Sequence, residues 1–237
     1  MYQFNSRVRY SEIGPDKHLT LPAIINYFQD CSTFHSEAIG VGLDFLEKEK
    51  RAWILNSWQI VVEKYPYLGD SLTICTWAHE FKGAYGNRNF LLKDEHGNPF
   101  AYANSLWIYM DTENSRMLRI PQEVALPYGY EPKYPMNYAP RKISLPSTFE
   151  VKDPFSVVAS NIDTNNHVNN EQYIQMAATY LPKDFIISQM RAEYRSSAIL
   201  GDIIVPNIYC KDDIFIVTLR DTSNSIYAII EFTRKDS

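Results

Sequence analysis

The sequence predicts an α+β protein in which one unit, a long helix followed by an antiparallel sheet, is built twice. Three observations carry this. Residues 8–19 (VRYSEIGPDKHL) align with residues 157–168 (VVASNIDTNNHV) at an offset of 149, matching Val8, Ser11, Ile13 and His18 to Val157, Ser160, Ile162 and His167. Residues 58–72 align with 190–204 at an offset of 132, placing Leu68-Gly69-Asp70 on Leu200-Gly201-Asp202. Between the halves, residues 111–150 hold six of the 13 prolines and no clear periodicity, the composition of a linker. Two matches in the same order, around equivalent elements, point to an internal duplication.

In the first half Thr20 is an N-cap for a helix over 21–36, with Pro22 tolerated in the first turn. Ile24, Ile25, Phe28, Cys31, Ser32 and His35 recur at helical spacing. The offsets differ by 17 residues, and a second short helix over 40–50 accounts for that insertion. Strands over 52–63, 71–79, 84–93 and 99–110 follow from their aromatic and β-branched content. Glu95-His96-Gly97-Asn98 reads as a hairpin turn. In the second half a helix over 171–181 stops at Pro182, and strands follow over 186–195, 202–209, 214–219 and 226–233. A short approach strand before each helix completes the pattern. A long helix wrapped by a curved antiparallel sheet is the hotdog architecture, and two in tandem make a double hotdog. The expected division is a first hotdog over 1–110, a packed proline-rich linker over 111–150 that runs across the sheet surface, and a second hotdog over 151–237.

With 237 residues, 45% of them hydrophobic and 22% charged, the chain has ordinary globular composition and length for one large or two small domains. A net charge of −5 without a basic cluster argues against nucleic acid. No apolar run approaches the roughly 20 residues of a membrane helix, so no membrane insertion is expected. The N-terminal MYQFNSRVRYSEIG has no apolar signal core and is not a transit peptide by composition. Cys31, Cys75 and Cys210 are widely spaced, which fits a reducing, cytoplasmic setting without structural zinc, each reading as a small buried hydrophobe. Seventeen Tyr and 12 Phe suit a large apolar core or a lipid-lined pocket.

The stretch from Ile162 to Asn170 concentrates the chemistry. Asn169 and Asn170 in front of Glu171 form a helix N-cap signature. Asp163, Asn165 and His167 alternate along the approach, so an extended backbone would point all three to one side. Helix N-terminal N–H groups add a positive partial charge that stabilises a developing oxyanion. A base, an orienting amide, a carboxylate and an oxyanion site are the parts of a hydrolytic centre.

The same stretches carry a family resemblance. Asp163–Asn170 resembles the D-x-N-x-H-V-N-N signature of the acyl-acyl carrier protein thioesterases, the plastid enzymes of plants and their bacterial relatives. VVEKYPYLGD with Thr76-Trp77, residues 105–124 and AEYRSSA at 192–198 resemble three more of the family's segments in order. The resemblance implies a double hotdog that hydrolyses the thioester between a fatty acyl chain and the phosphopantetheine arm of acyl carrier protein, in fatty acid biosynthesis. It implies catalytic roles for Asp163, Asn165 and His167, no cofactor and no metal. Acyl carrier protein is the implied partner, and a homodimer is left open. The family's Glu-Cys at the end of its E-Y-R-R-E-C segment is Ser197-Ala198 here, so a cysteine nucleophile at that site is excluded. Glu193, four residues before Ser197, shares a strand face with it if the strand continues, and could stand in for the missing carboxylate.

The expected mechanism uses the backbone N–H groups of Val168 and Asn169 to polarise the thioester carbonyl. Asn165 fixes the carbonyl or the water, and His167 or Asp163 takes the water's proton, a choice the residues alone leave open. The matching first-half positions are Gly14, Asp16 and His18, so the first half is expected to enclose the acyl chain instead. The rival readings are a hotdog acyl-CoA thioesterase, a dehydratase, or a non-catalytic acyl-binding protein.

Overall fold

The structure, a computed structural model, describes residues 1–235 and divides into two units, the first comprising Met1–Asn56 with Ile60–Tyr138 and the second Ser57–Gln59 with Ala139 onward.

In the first unit β1 (Tyr2–Arg7) is followed by α1 (Leu21–Ala38), α2 (Leu43–Lys48), β2 (Arg51–Val62), β3 (Ser71–Lys82), β4 (Tyr85–Lys93), β5 (Pro99–Asp111), β6 (Arg116–Met117) and α3 (Gln122–Ala125). Its sheet runs in the order β1-β3-β4-β5-β2, with β1–β3, β3–β4 and β4–β5 antiparallel. Thr20 accepts the Ala23 N–H and starts α1 as its pattern requires. The helix lays Ile24, Ile25, Phe28 and Cys31 on the sheet, all fully buried, with the Phe28 ring 5.1 Å from Phe90. Burying each large side chain contributes about 1.5–3 kcal/mol. The insertion is the short α2, which buries no residue fully. The hairpin between β4 and β5 closes on Asp94, whose Oδ1 accepts the His96 and Asn98 N–H groups, with Gly97 at φ 87°.

The second unit contains β7 (Glu150–Val151), β8 (Phe155–Ser156), α4 (Asn170–Ala178), β9 (Ile187–Tyr194), β10 (Ile203–Lys211), β11 (Ile214–Arg220) and β12 (Ile226–Arg234). The order is β9-β12-β11-β10, all antiparallel, with β7 and β8 both on β10. Helix α4 has 9 residues against 18 in α1, ending before Leu181.

The proline-rich stretch packs on both units. Asn89, wholly buried on β4, accepts the Tyr134 N–H and the Tyr138 hydroxyl, and the Trp77 indole donates to the Pro132 carbonyl. Farther along, Ile143 packs with Ile216 and Ile229, and Arg191 donates to the Pro140 and Lys142 carbonyls.

The duplication is visible in hydrogen bonds. Val8 N–H to Asp70 O (3.0 Å) and Gly69 N–H to Val8 O (3.1 Å) recur as Val157 N–H to Asp202 O (2.8 Å) and Gly201 N–H to Val157 O (3.1 Å). Every partner moves by the offsets 149 and 132 read from the sequence. One expectation fails: Cys31 and Cys75 are buried, but Cys210 is exposed on β10, the outermost full-length strand of its sheet.

Candidate active site

The approach to α4 is not extended. Ile162 and Val168 form an antiparallel bridge, and between them the Asp163 N–H donates to His167 O (2.8 Å) and the Asn166 N–H to Asp163 O (3.1 Å). Asn166 carries the turn at φ 61°, a left-handed conformation that asparagine tolerates. The alternation argument for Asp163, Asn165 and His167 therefore does not hold. What gathers them is a tight turn. Asp163 Oδ1 accepts the N–H of Asn165 (2.8 Å) and of His167 (3.4 Å), so its carboxylate braces the turn from inside. The side chains of Asn165 and His167 are exposed and bond to no described residue.

Two backbone ties fasten the turn. The Asn169 N–H donates to Asn161 O and the Val168 N–H to Ala198 O, both at 2.9 Å. These are the two N–H groups expected to polarise a carbonyl, and both already have acceptors. The Val168 and Asn169 N–H groups are therefore engaged within the loop in this structure, which leaves them less available to a carbonyl oxygen than the expected oxyanion role asks. Farther into the helix, the Glu171 N–H goes to Asn169 Oδ1 (3.0 Å) and the Gln172 N–H to Asn169 O (2.9 Å). The Asn170 N–H is the first-turn donor with no acceptor among the described residues.

Ala198, in the place of the family's cysteine, is buried under the turn. Its carbonyl holds Val168, and its N–H donates to the Tyr173 hydroxyl at 2.7 Å. Burial pushes that hydroxyl up to about 12, so it stays protonated at neutral pH. Ser197 is exposed and lies beyond β9, which ends at Tyr194. The shared strand face expected for Glu193 and Ser197 does not exist. Tyr194 donates to Asn170 O (2.9 Å) and so faces α4. Its neighbour Glu193 points the other way, accepting from the Ile143 N–H (3.2 Å) and pairing with Arg195 (3.1 Å). Glu193 cannot replace the missing carboxylate.

A buried carboxyl does sit at the helix start, at Glu171. It accepts from Gln172 (2.9 Å), and burial raises its pKa. Gln172 in turn accepts from Asn161 (2.8 Å), tying the helix to the residue that anchors the turn. The sequence reading passed over the Tyr173–Ala198 clamp, though the offsets place Ala198 on Pro66 and Tyr173 on Ile24.

The first unit repeats the turn with other side chains. Leu19 N–H to Pro66 O (2.8 Å) and Thr20 N–H to Glu12 O (3.0 Å) match the two ties above, and Lys17 holds the left-handed position at φ 65°. Gly14 stands where Asp163 stands, and Asp16 lies 3.3 Å from His18. The turn therefore forms without a carboxylate at that position.

The thiols lie elsewhere. Burial pushes Cys31 up to about 12 and raises Cys75, so neither is a ready thiolate. Among the described residues no cluster of three His, Cys, Asp or Glu side chains is placed to hold a metal ion, and no helix is long and apolar enough to cross a membrane.

Comparison with known proteins identifies the family. The acyl-ACP thioesterase N-terminal domain matches residues 1–128 and its C-terminal domain residues 146–230. A chloroplastic dodecanoyl-[acyl-carrier-protein] hydrolase of Cinnamomum camphora is 27% identical over 83% of this chain and 56% of its own length. A chloroplastic palmitoyl-acyl carrier protein thioesterase of Arabidopsis thaliana is 27% identical over 82% and 52%. The chain thus spans about half the length of the curated relatives it matches. In fold it is similar to a 12:0-ACP thioesterase from Umbellularia californica (TM-score 0.87, 20% identity, 100% of this chain and 97% of that one) and an acyl-ACP thioesterase from Bacteroides thetaiotaomicron (0.85, 19%, 98% and 97%). Each unit is a hotdog, and with both family domains matched in order, the chain belongs to the acyl-ACP thioesterase family.

Proposed function

We propose that the protein hydrolyses the thioester of fatty acyl-acyl carrier protein, releasing a free fatty acid and the carrier protein with its thiol. The observation that carries this reading is the Asp163-Asn165-His167 turn on the N-terminus of α4. It keeps the backbone of its first-unit counterpart but carries its carboxylate at Asp163, beside an exposed Asn165 and His167, where the first unit has Gly14 and braces its turn from Asp16 instead.

In this reading His167 is the general base. Its ring is exposed and unengaged, whereas Asp163 Oδ1 is committed to two backbone N–H groups. His167 removes a proton from water as the water oxygen bonds to the thioester carbon. The C–S bond then breaks, and the pantetheine sulfur leaves with the proton returned by the imidazole. The Asn170 N–H, with the Asn165 side-chain amide, replaces the spent Val168 and Asn169 amides as donors to the oxyanion. The acyl chain lies in the first unit, against α1. A cytoplasmic reaction with acyl carrier protein as partner completes the reading.

His167→Ala tests it. Turnover of acyl-carrier protein should fall by about 10²-fold or more, the usual contribution of a general base, with the fold intact. Undiminished kcat in the folded variant would remove His167 from the mechanism.

A further inference from the structure

The first unit buries a cation that the hydrolytic chemistry does not use. Arg88, on β4, is 7% exposed. Its Nη1 contacts His35 Nδ1 and Thr76 Oγ1, both at 3.2 Å, and its guanidinium lies 5.1 Å from the centre of the Tyr128 ring. All three partners are neutral: burial and the guanidinium itself lower His35 to about 4. No carboxylate pairs with Arg88 among the described residues, and its Nε and Nη2 have no acceptor there. A buried charge without a counter-ion costs several kcal/mol, so such groups ordinarily meet an anion.

A second orphan donor borders the same tyrosine. Trp53 packs edge-on to Tyr128 with ring centres 6.5 Å apart, and its indole Nε1 is buried without a partner. Arginine and tryptophan side chains only donate, so whatever satisfies both must supply acceptor oxygens. Beyond Ser36, which bonds the Tyr128 hydroxyl at 2.9 Å, Tyr128 belongs to an apolar cluster with Val41, Ala78 and Tyr109, against which Ile39, Phe45, Leu46 and Phe81 pack only partly buried. Ser32 (8%), His35 (5%) and Tyr128 (6%) retain some exposure, whereas Phe28 and Phe90, farther along the same core, have none.

An oxyanion at one end and hydrocarbon beyond it is the chemistry that fits. We propose that the region around Arg88 and Tyr128 binds the carboxylate of a straight-chain fatty acid, its oxygens on Arg88 and the Trp53 indole and its chain displacing the contacts among Ile39, Phe45, Leu46 and Phe81. The inference deepens the hydrolase reading and rests on it for the source of the ligand, since a free fatty acid is that reaction's product.

The test is calorimetric binding of decanoate, decanol and acetate to the full chain, each below its aggregation limit. A hydrogen-bonded charge pair predicts that decanoate binds about 10- to 100-fold tighter than decanol. Arg88→Met should erase that preference, and Arg88→Lys should keep part of it. Equal affinity for acid and alcohol, no binding of either, or a preference that survives in folded Arg88→Met overturns the proposal. Acetate binding as tightly as decanoate overturns the hydrocarbon half, leaving a small-anion site only. Should Arg88→Met not fold, the acid–alcohol comparison on the native chain decides alone. Binding is read without turnover, so if a separate assay finds no hydrolysis of acyl-carrier protein while the chain still prefers the acid, the hydrolase reading falls and this site stands.

Discussion

Replacing Tyr173 by phenylalanine removes one oxygen from the second unit, and the effect can be worked from two buried atoms. The Tyr173 hydroxyl accepts the Ala198 N–H at 2.7 Å, and both residues are almost inaccessible. Without the oxygen the amide is stranded, at a cost of about 1–3 kcal/mol. For a unit of this size, at about 4–8 °C per kcal/mol, that lowers the melting temperature by roughly 4–24 °C. The first unit supplies the control. There Pro66 stands in the place of Ala198 and has no N–H, while Ile24 stands in the place of Tyr173 and has no hydroxyl. Donor and acceptor are present together in one copy and absent together in the other. In an Ala198→Pro background, Tyr173→Phe should therefore cost less than about 0.5 kcal/mol, because no amide remains to be stranded. Urea unfolding followed by circular dichroism on the four members of this cycle measures the coupling. An equal cost in both backgrounds would refute the argument.

Three further outcomes are expected. Asp163→Asn keeps an acceptor oxygen for the Asn165 and His167 amides, so the turn should survive while turnover falls by about 10²-fold; an unfolded variant would mean that the carboxylate charge is structural. Replacing Cys31, Cys75 and Cys210 together by Ala should leave hydrolysis largely intact, and inactivation of the folded triple variant would revive a nucleophilic thiol. His35 has its folded pKa lowered from 6.5 to about 4, so the unfolded chain takes up this proton first. Its contribution to stability is complete above pH 6.5 and is lost as the pH falls towards 4; His35→Gln should flatten denaturation midpoints across that window.

Most of the fold was legible because it is local. Runs of aromatic and β-branched residues place the strands within a few residues of their observed ends, as for β4, read as 84–93 and found at Tyr85–Lys93. The Thr20 cap and the apolar spacing place α1 in the same way. The duplication was legible too, since its offsets are those of the conserved hydrogen bonds. What escaped is set by partners distant in the chain. Nothing around Val168 says that its amide is taken by Ala198, 30 positions away, yet that bond decides which donors remain at the helix end. The left-handed Asn166 converts an apparent strand into a turn, and asparagine is common enough in both settings to hide it. Glu193 and Tyr194 face opposite ways because they are successive residues of β9, and the strand ends at Tyr194, so Ser197 never joins the face of Glu193. Arg88 reads from sequence as an ordinary strand residue, and only the packing of α1 and Tyr128 encloses it.

A turn held by its backbone has a consequence for how the protein can change. In both copies the same main-chain ties hold the turn, while the acid that braces it sits at a different position in each, Asp163 in one and Asp16 in the other. Such positions can drift in one copy while the other keeps its chemistry, and the unused copy stays folded as raw material. Reinstalling the carboxylate there would still require two coordinated changes. A β-carbon at Gly14 would lie 3.0 Å from Asp16 Oδ1, so a side chain at 14 requires Asp16 to shift, whereas in the second unit Asp163 stands with Asn165 in that neighbouring place.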